Sequence, residues 1–436
     1  MDGYYAFMLV ATALVLMMTV PALALFYGGM SRSKSVLNMM MMSYVAMGVV
    51  GIVYVLWGWS MTFGPDDVGG FFANPFDLFG LDGVTPDGYV AVMFQMTFAA
   101  ITSALISGAI ADRVKLSSWI VFLPLWVTLS YFPIGHMVWG GGFISEHFGA
   151  QDYAGGTVVH INAGVAGLVL ALVIGRRIGF GKEPIRPHNL TLTMLGAGLL
   201  WFGWYGFNVG SIVFAGETDE ENIAQFYSET GVTFLNTTIA TCAAMLAWML
   251  MERILHGKAT SLGAASGIVA GLVAITPSCG AVEVPGAILI GAVAGALCAW
   301  AVGLKFRFGM DDSLDVVGVH LVGGIVGTVL IGLVSSSDAP GGIDGLLYGG
   351  GFGSLGDQVM AAVIAIAWSA VATTIIAVAI KLTIGWRVAE EAEVEGIDAD
   401  QHGESAYDLH GGLGGGGSTS TSSVLAKSTV TEGVNA

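Results

Sequence analysis

An all-α polytopic membrane protein is the fold class this sequence predicts, and three observations predict it. Of its 436 residues, 55% are hydrophobic and only 11% charged, against roughly 25% charged in an ordinary soluble domain. The stretches between breaks are nearly uninterrupted apolar runs of about 20 residues, the length of helix that crosses a ~30 Å hydrocarbon core. Strands of a barrel would alternate in polarity and be about half as long. The third observation is where the charges fall, and it orients the chain.

Hydropathy places eleven spans, near 5–27, 37–63, 88–110, 117–139, 156–175, 189–213, 231–251, 261–278, 284–304, 316–335 and 358–384. The first follows Met1-Asp2-Gly3, which has no basic n-region, and is long enough to span; no cleaved signal peptide is expected. Alternate connections carry the bases: Arg32 and Lys34, then Arg113 and Lys115, then Arg176, Arg177, Lys182 and Arg186, then Arg253 and Lys258, then Lys305 and Arg307, and finally Lys381, Arg387 and Lys427. These are all 15 Lys and Arg residues of the chain. Basic residues mark the cytoplasmic side, so the N-terminus is predicted outside and the C-terminus in the cytoplasm. The opposite loops are acidic, with Asp66, Asp67, Asp77, Asp82 and Asp87 in one and Glu217, Asp219, Glu220, Glu221 and Glu229 in another. Such a surface concentrates cations; adaptation to a salty habitat explains it equally well.

Spans five and ten share a spacing. Asp152 precedes His160 by eight residues, and Asp312 precedes His320 by eight; Gly164/Gly324, Gly167/Gly327 and Leu170/Leu330 also match. Span five runs inward and span ten outward, so one local pattern enters the membrane from both faces, as in an inverted repeat. Spans 1 to 5 and 6 to 10 form the two halves and span 11 is additional. Eight helical residues cover about 12 Å, which puts both histidines near the midplane. Ionisable residues are costly there, and imidazole is the side chain suited to passing a proton near neutral pH. A histidine that merely bonds a neighbouring helix is the plainer reading of either one alone.

A histidine pair also binds metals, but a site needs further ligands, and Asp152 and Asp315 fall near opposite boundaries. Cys242, Cys279 and Cys298 have no ligand spacing and read as small buried apolar residues. His136, His147, His188, His256, His402 and His410 read as ordinary loop or helix-end residues. Trp139, at the end of span four, and Ser211, at the end of span six, both fall near the outer surface. An aromatic face with a hydroxyl acceptor suits a small cation, although the interfacial aromatic belt accounts for the same residues. There is no phosphate loop, GxSxG, HExxH or CxxC, and no nucleophile-base-orienter set, so an enzyme is not expected.

Several longer motifs stand in order: Ala24-Leu-Phe-Tyr-Gly-Gly29, Phe94 to Phe98, His136-Met-Val-Trp-Gly-Gly-Gly142, Asp152 to Asn162, Gly206 to Ser211, Asp311 to Gly324, and His402 to Tyr407. Through them the chain resembles the ammonium transporters of the Amt/Mep/Rh superfamily over about 1–408. The resemblance implies a homotrimer of eleven-helix protomers, each with its own pore, in the plasma or inner membrane. It implies an outer ammonium site of Trp139, Phe98 and Ser211, stacked gate rings Phe98 and Phe207, pore histidines His160 and His320, a supporting Asp152 and a pore-lining Trp204. Ammonium would be deprotonated outside and ammonia would cross. A passive ammonia or carbon dioxide channel of Rh type, or a membrane ammonium sensor, are the rival readings.

The expected organisation is a transmembrane domain over 1–384, a cytoplasmic regulatory region over 385–410 and a flexible Gly/Ser/Thr-rich tail over 411–436; the resemblance implies that 396–407 is part of a contact surface for a trimeric PII signalling protein. No cofactor, metal or nucleic-acid partner is expected.

Overall fold

The computed structural model describes residues 2–183 and 186–407. Residues Met1–Ala406 form one compact unit. The tail expected over 411–436, the end of the 385–410 region, His410 and Lys427 lie outside the described residues.

Among the described residues ten helices are long and apolar enough to cross a membrane, and an eleventh apolar helix is shorter. In order these are α1 Gly3–Met30, α2 Val36–Phe63, α3 Pro86–Ile110, α4 Leu116–Phe148, α5 Gly156–Ile174, α6 Leu190–Val209, α7 Asp219–His256, α8 Ser261–Ile275 (the short one), α9 Val284–Phe308, α10 Val317–Val334 and α11 Gly353–Leu382. Each expected span falls on one of them. Helix α8 has 15 residues, about 22 Å of rise; Pro277, which cannot continue the hydrogen-bond ladder, follows it after one residue.

The largest departure from the expected bounds is α7, which has 38 residues and begins twelve before the apolar run. Thr218 caps it reciprocally with Glu221, and Asp219, Glu220 and Glu221 fill its first turn. Acids there oppose the partial positive charge of the helix start, so the polar extension helps to form the helix.

The connections meet at two faces. At the basic face Arg177 makes a fork on Asp311, with contacts of 2.8 and 2.9 Å, and reaches Asp112 at 3.1 Å. Arg113, buried completely, donates to Ser313 Oγ at 2.6 Å and to the carbonyls of Ala109 and Asp311. The segment after α11 packs here as well. Arg113 and Lys115 exchange backbone hydrogen bonds with Trp386 and Val388, and two short helices follow, α12 Glu390–Glu395 and α13 Ile397–His402. The acidic run Glu390 to Glu395 is therefore helical. Its Glu393 is buried, accepts from the Ile178 N–H at 2.6 Å and is paired with Arg387. Asp398 accepts the N–H groups of Leu37 (3.0 Å) and Asn38 (2.8 Å), capping α2 where the Ser35 side chain makes no cap.

At the acidic face the hairpin β1 Asp67–Val68 and β2 Phe72–Ala73 lies in the α2–α3 connection. It joins α4 through the Phe143 N–H and Gly70 carbonyl at 2.7 Å.

The two repeat helices cross by exchange. The Tyr153 N–H, just before α5, donates to Pro277, just after α8; the Ser313 N–H, before α10, donates to Ala109 at the end of α3. Tyr153 and Ser313 each follow the acid of their matched Asp-His stretch by one residue, so α5 and α10 are tied at their starts by equivalent backbone hydrogen bonds, one to the segment after α8 and one to the end of α3. The matched glycines are the crossing surface. A Cβ on Gly164 would lie 2.5 Å from Leu321 N, and one on Gly324 would lie 3.1 Å from Ile161 N and from His160 Cβ. Ile161 and Leu321 are themselves equivalent positions.

Candidate functional site

Both histidines stand in wide helical turns. In α5 the Asn162 N–H reaches back five residues to Thr157, and in α10 the Val322 N–H reaches back five to Val317. Such π-turns are uncommon and cluster at functional sites; nothing in the apolar periodicity marks them. Their matched registers bring His160 Nδ1 to 3.4 Å from His320 Nδ1, the rings stacked at 27° with centroids 5.4 Å apart. Both are buried, and His160 Nε2 has no hydrogen-bond partner among the described residues. An N···N contact can hold only one proton between its atoms. When one ring donates through Nδ1 its Nε2 is a bare lone pair, and the other ring then presents Nε2–H.

A run of rings leads from the histidines. Trp204 stacks on His160 at 5.6 Å and 20°, its indole N–H fixed to Thr276 Oγ1 at 2.8 Å. Phe207 lies 6.2 Å from His160. Phe98 stacks on Phe207 at 4.0 Å and 8°, and the Trp139 ring meets Phe98 nearly perpendicular, at 6.1 Å and 81°. Trp204 and Phe207 come from α6, Phe98 from α3, and Trp139 ends the unbroken part of α4. Ser211 follows Phe207 by one turn and donates Oγ–H to its carbonyl at 2.8 Å.

Asp152 holds this arrangement in two ways. Its carboxylate accepts from the N–H groups of Gly155, Gly156, Thr157 and Val158 at 2.5 to 3.2 Å, and from the Thr157 hydroxyl. Burial pushes the carboxyl up, against hydrogen bonds from Thr157, Gly156 and Gly155 that pull it down. Gly155, at φ +119°, makes the bend that lets the chain return over its own acid. The Asp152 carbonyl accepts the Trp139 indole N–H at 2.8 Å. Asp312 does the same capping for α10, accepting from Val316 and Val317 at 3.0 and 2.7 Å. The repeated acid eight residues before each histidine is thus a helix cap. As a metal ligand Asp152 has no oxygen to spare, and Asp315 is paired with Lys305 at 2.6 Å.

His136, which reads as ordinary in the sequence, is buried, with Nδ1 3.0 Å from the Thr62 carbonyl and Nε2 2.8 Å from Asp67 Oδ1. The available signal was its spacing, one helical turn before Trp139.

A family model described as Ammonium Transporter Family matches residues 6–407. The chain belongs to the ammonium transporter family. It is 53% identical to an ammonium transporter of Mycobacterium tuberculosis strain H37Rv, over 93% of this chain and 90% of that one. Among solved structures it is similar to Mep2 of Saccharomyces cerevisiae, with 32% identity, a TM-score of 0.80, and coverage of 94% and 92% of the two chains. It is also similar to a structure described as a sensor Amt protein, with 27% identity, a TM-score of 0.82, and coverage of 92% and 98%. Family membership and the apolar helices together make this an integral multi-pass membrane protein of the ammonium transporter family.

Proposed function

We propose that this chain transports ammonium, taking the ion at Trp139, Phe98 and Ser211 and passing ammonia between Phe98 and Phe207 to the His160/His320 pair. The observation that carries this reading is the unbroken run of rings from Trp139 to the two histidines. A bare ammonium ion in such an apolar lane costs many kcal/mol, whereas neutral ammonia, still a donor and an acceptor, crosses cheaply. The aromatic faces and the Ser211 hydroxyl favour the cation before it sheds its proton. Asp152 supports the site and is not the base, because donors occupy both of its oxygens. The proton follows through the histidine pair, whose single shared proton changes sides as each Nε2 alternates between lone pair and N–H.

The same reading places the N-terminus outside and the basic face in the cytoplasm, in the plasma or inner membrane, with three copies assembled as a trimer. Residues 396–407 are part of the contact surface for a PII protein. Deleting 396–407 is expected to abolish pull-down of a PII protein while transport stays measurable; retained pull-down removes that partner.

The test of transport is an ammonium concentration jump on proteoliposomes, recording current and internal pH against protein-free liposomes. A saturable current supports proton-coupled ammonium transport. Alkalinisation without current replaces it by passive ammonia conduction, and neither signal leaves the sensor reading. Trp139→Leu is expected to weaken competition by methylammonium roughly two- to thirtyfold, the range of a cation–π contact of about 0.5 to 2 kcal/mol. Unchanged competition removes Trp139 from the site.

A further inference from the structure

We propose that Asp67 and His136 together form a positioning device that fixes Trp139 and so sets the affinity of the outer aromatic site. This rests on the assignment of Trp139 to ammonium recruitment. His136 lies one turn before Trp139 on α4, and the chain after Trp139 wraps its ring. The N–H groups of Gly140 and Gly142 both donate to the His136 carbonyl, at 2.9 and 3.1 Å. A Cβ on Gly140 would lie 2.6 Å from His136 Nδ1, and one on Gly142 would lie 2.9 Å from His136 Cδ2 and 2.5 Å from the Gly70 carbonyl oxygen. The imidazole is therefore the core around which Gly140 to Gly142 turn, and the orientation of that core decides where Trp139 ends.

Two contacts set the orientation. Nδ1 faces the Thr62 carbonyl near the end of α2, and Nε2 faces Asp67 in β1. Asp67 is fixed in turn: the Gly70 N–H lies 2.9 and 3.0 Å from its two oxygens. The hydrogen bonds from His136 and Gly70 hold its carboxyl below the usual range. Gly70 also gives its carbonyl to the Phe143 N–H, closing a loop of contacts from Asp67 through His136 and the glycine turn back to the hairpin. Trp139 lies inside that loop and is held at its far side by the Asp152 carbonyl. Removing the carboxylate leaves a buried ring nitrogen without its partner. The ring then gains freedom to rotate about its remaining bond, and the glycine turn loosens with it.

Asp67 also belongs to the acidic outer loop, so simple attraction of cations is the competing account, and the two differ in what an amide does. Asn in place of Asp67 loses the charge but keeps the hydrogen bond, because it accepts from Nε2–H or donates to a bare Nε2. The Asp67 side chain is 51% exposed, so substitution there leaves the folded core intact. The experiment is methylammonium uptake by proteoliposomes of the full chain, with KM and maximal rate separated, for wild type, Asp67→Ala, Asp67→Asn and Trp139→Leu. Asp67→Ala is expected to raise KM roughly tenfold at unchanged maximal rate, the scale of one hydrogen bond to a charged group, and Asp67→Asn to stay within about twofold of wild type. Equal KM increases in Asp67→Ala and Asp67→Asn, fading at ~1 M salt where the Debye length is about 3 Å, would mean cation steering and overturn the proposal. A wild-type KM in Asp67→Ala, with Trp139→Leu raised, overturns it while sparing the aromatic site. A wild-type KM in Trp139→Leu sinks the site assignment itself.

Discussion

His160→Ala is expected to lose the saturable ammonium current by at least tenfold while leaving ammonia permeation measurable with an internal pH dye. The expectation follows from what each imidazole does. His160 and His320 share one Nδ1···Nδ1 contact of 3.4 Å, and only a pair can alternate tautomers so that a proton taken at one Nε2 is released at the other. A single remaining imidazole has no partner to reset it. Alanine also empties the space between Trp204 and His320, on which the His160 ring is stacked, so the lane widens for a neutral molecule as it closes to the proton. Current and gas flux should therefore move apart. A current of wild-type size in His160→Ala removes the pair from the proton route, and equal loss of both signals points to collapse of the lane.

Much of this was legible in the chain because membrane insertion writes itself into composition. Each expected span lies on a helix, and the segregation of bases to alternate connections distinguishes the two faces from sequence alone. The Asp-His spacing and its matched glycines are legible in the chain because α5 and α10 meet symmetrically and need the same residues. The rest depended on contacts between distant segments. No local pattern tells that Asp398 caps α2 from about 360 residues away. Helix α7 outran its apolar run because capping and acids at its start extend a helix that hydropathy cannot see. The burial of His136 and its two oxygen partners, Thr62 and Asp67, are tertiary facts that spacing alone does not carry. The aromatic site is legible only through the family resemblance, since an interfacial belt accounts for Trp139 equally well from its spacing.

The matched glycines carry the heaviest expected penalty. Gly164→Val is expected to destabilise the protein by about 3 kcal/mol or more and to abolish transport in whatever fraction still folds. At Gly164 an added Cβ would stand 2.5 Å from Leu321 N, 2.7 Å from Leu321 Cα and 2.6 Å from its Cβ. All three are atoms that no rotamer change can withdraw, so relief requires α5 and α10 to separate. Separation at this position acts directly on the neighbouring histidine contact, since Leu321 is adjacent to His320 and Gly164 lies one turn beyond His160. Gly198 in α6 is the control, because a Cβ there meets nothing within 4 Å. Gly198→Ala is expected to gain about 0.5 to 1 kcal/mol from the lower entropy cost of ordering alanine in a helix. Thermal unfolding in detergent, followed by tryptophan fluorescence, should move down for Gly164→Val and up for Gly198→Ala. A Gly164→Val protein with wild-type melting and current would mean that the helices do not cross at this residue, and the symmetric meeting of α5 and α10 would lose its central contact.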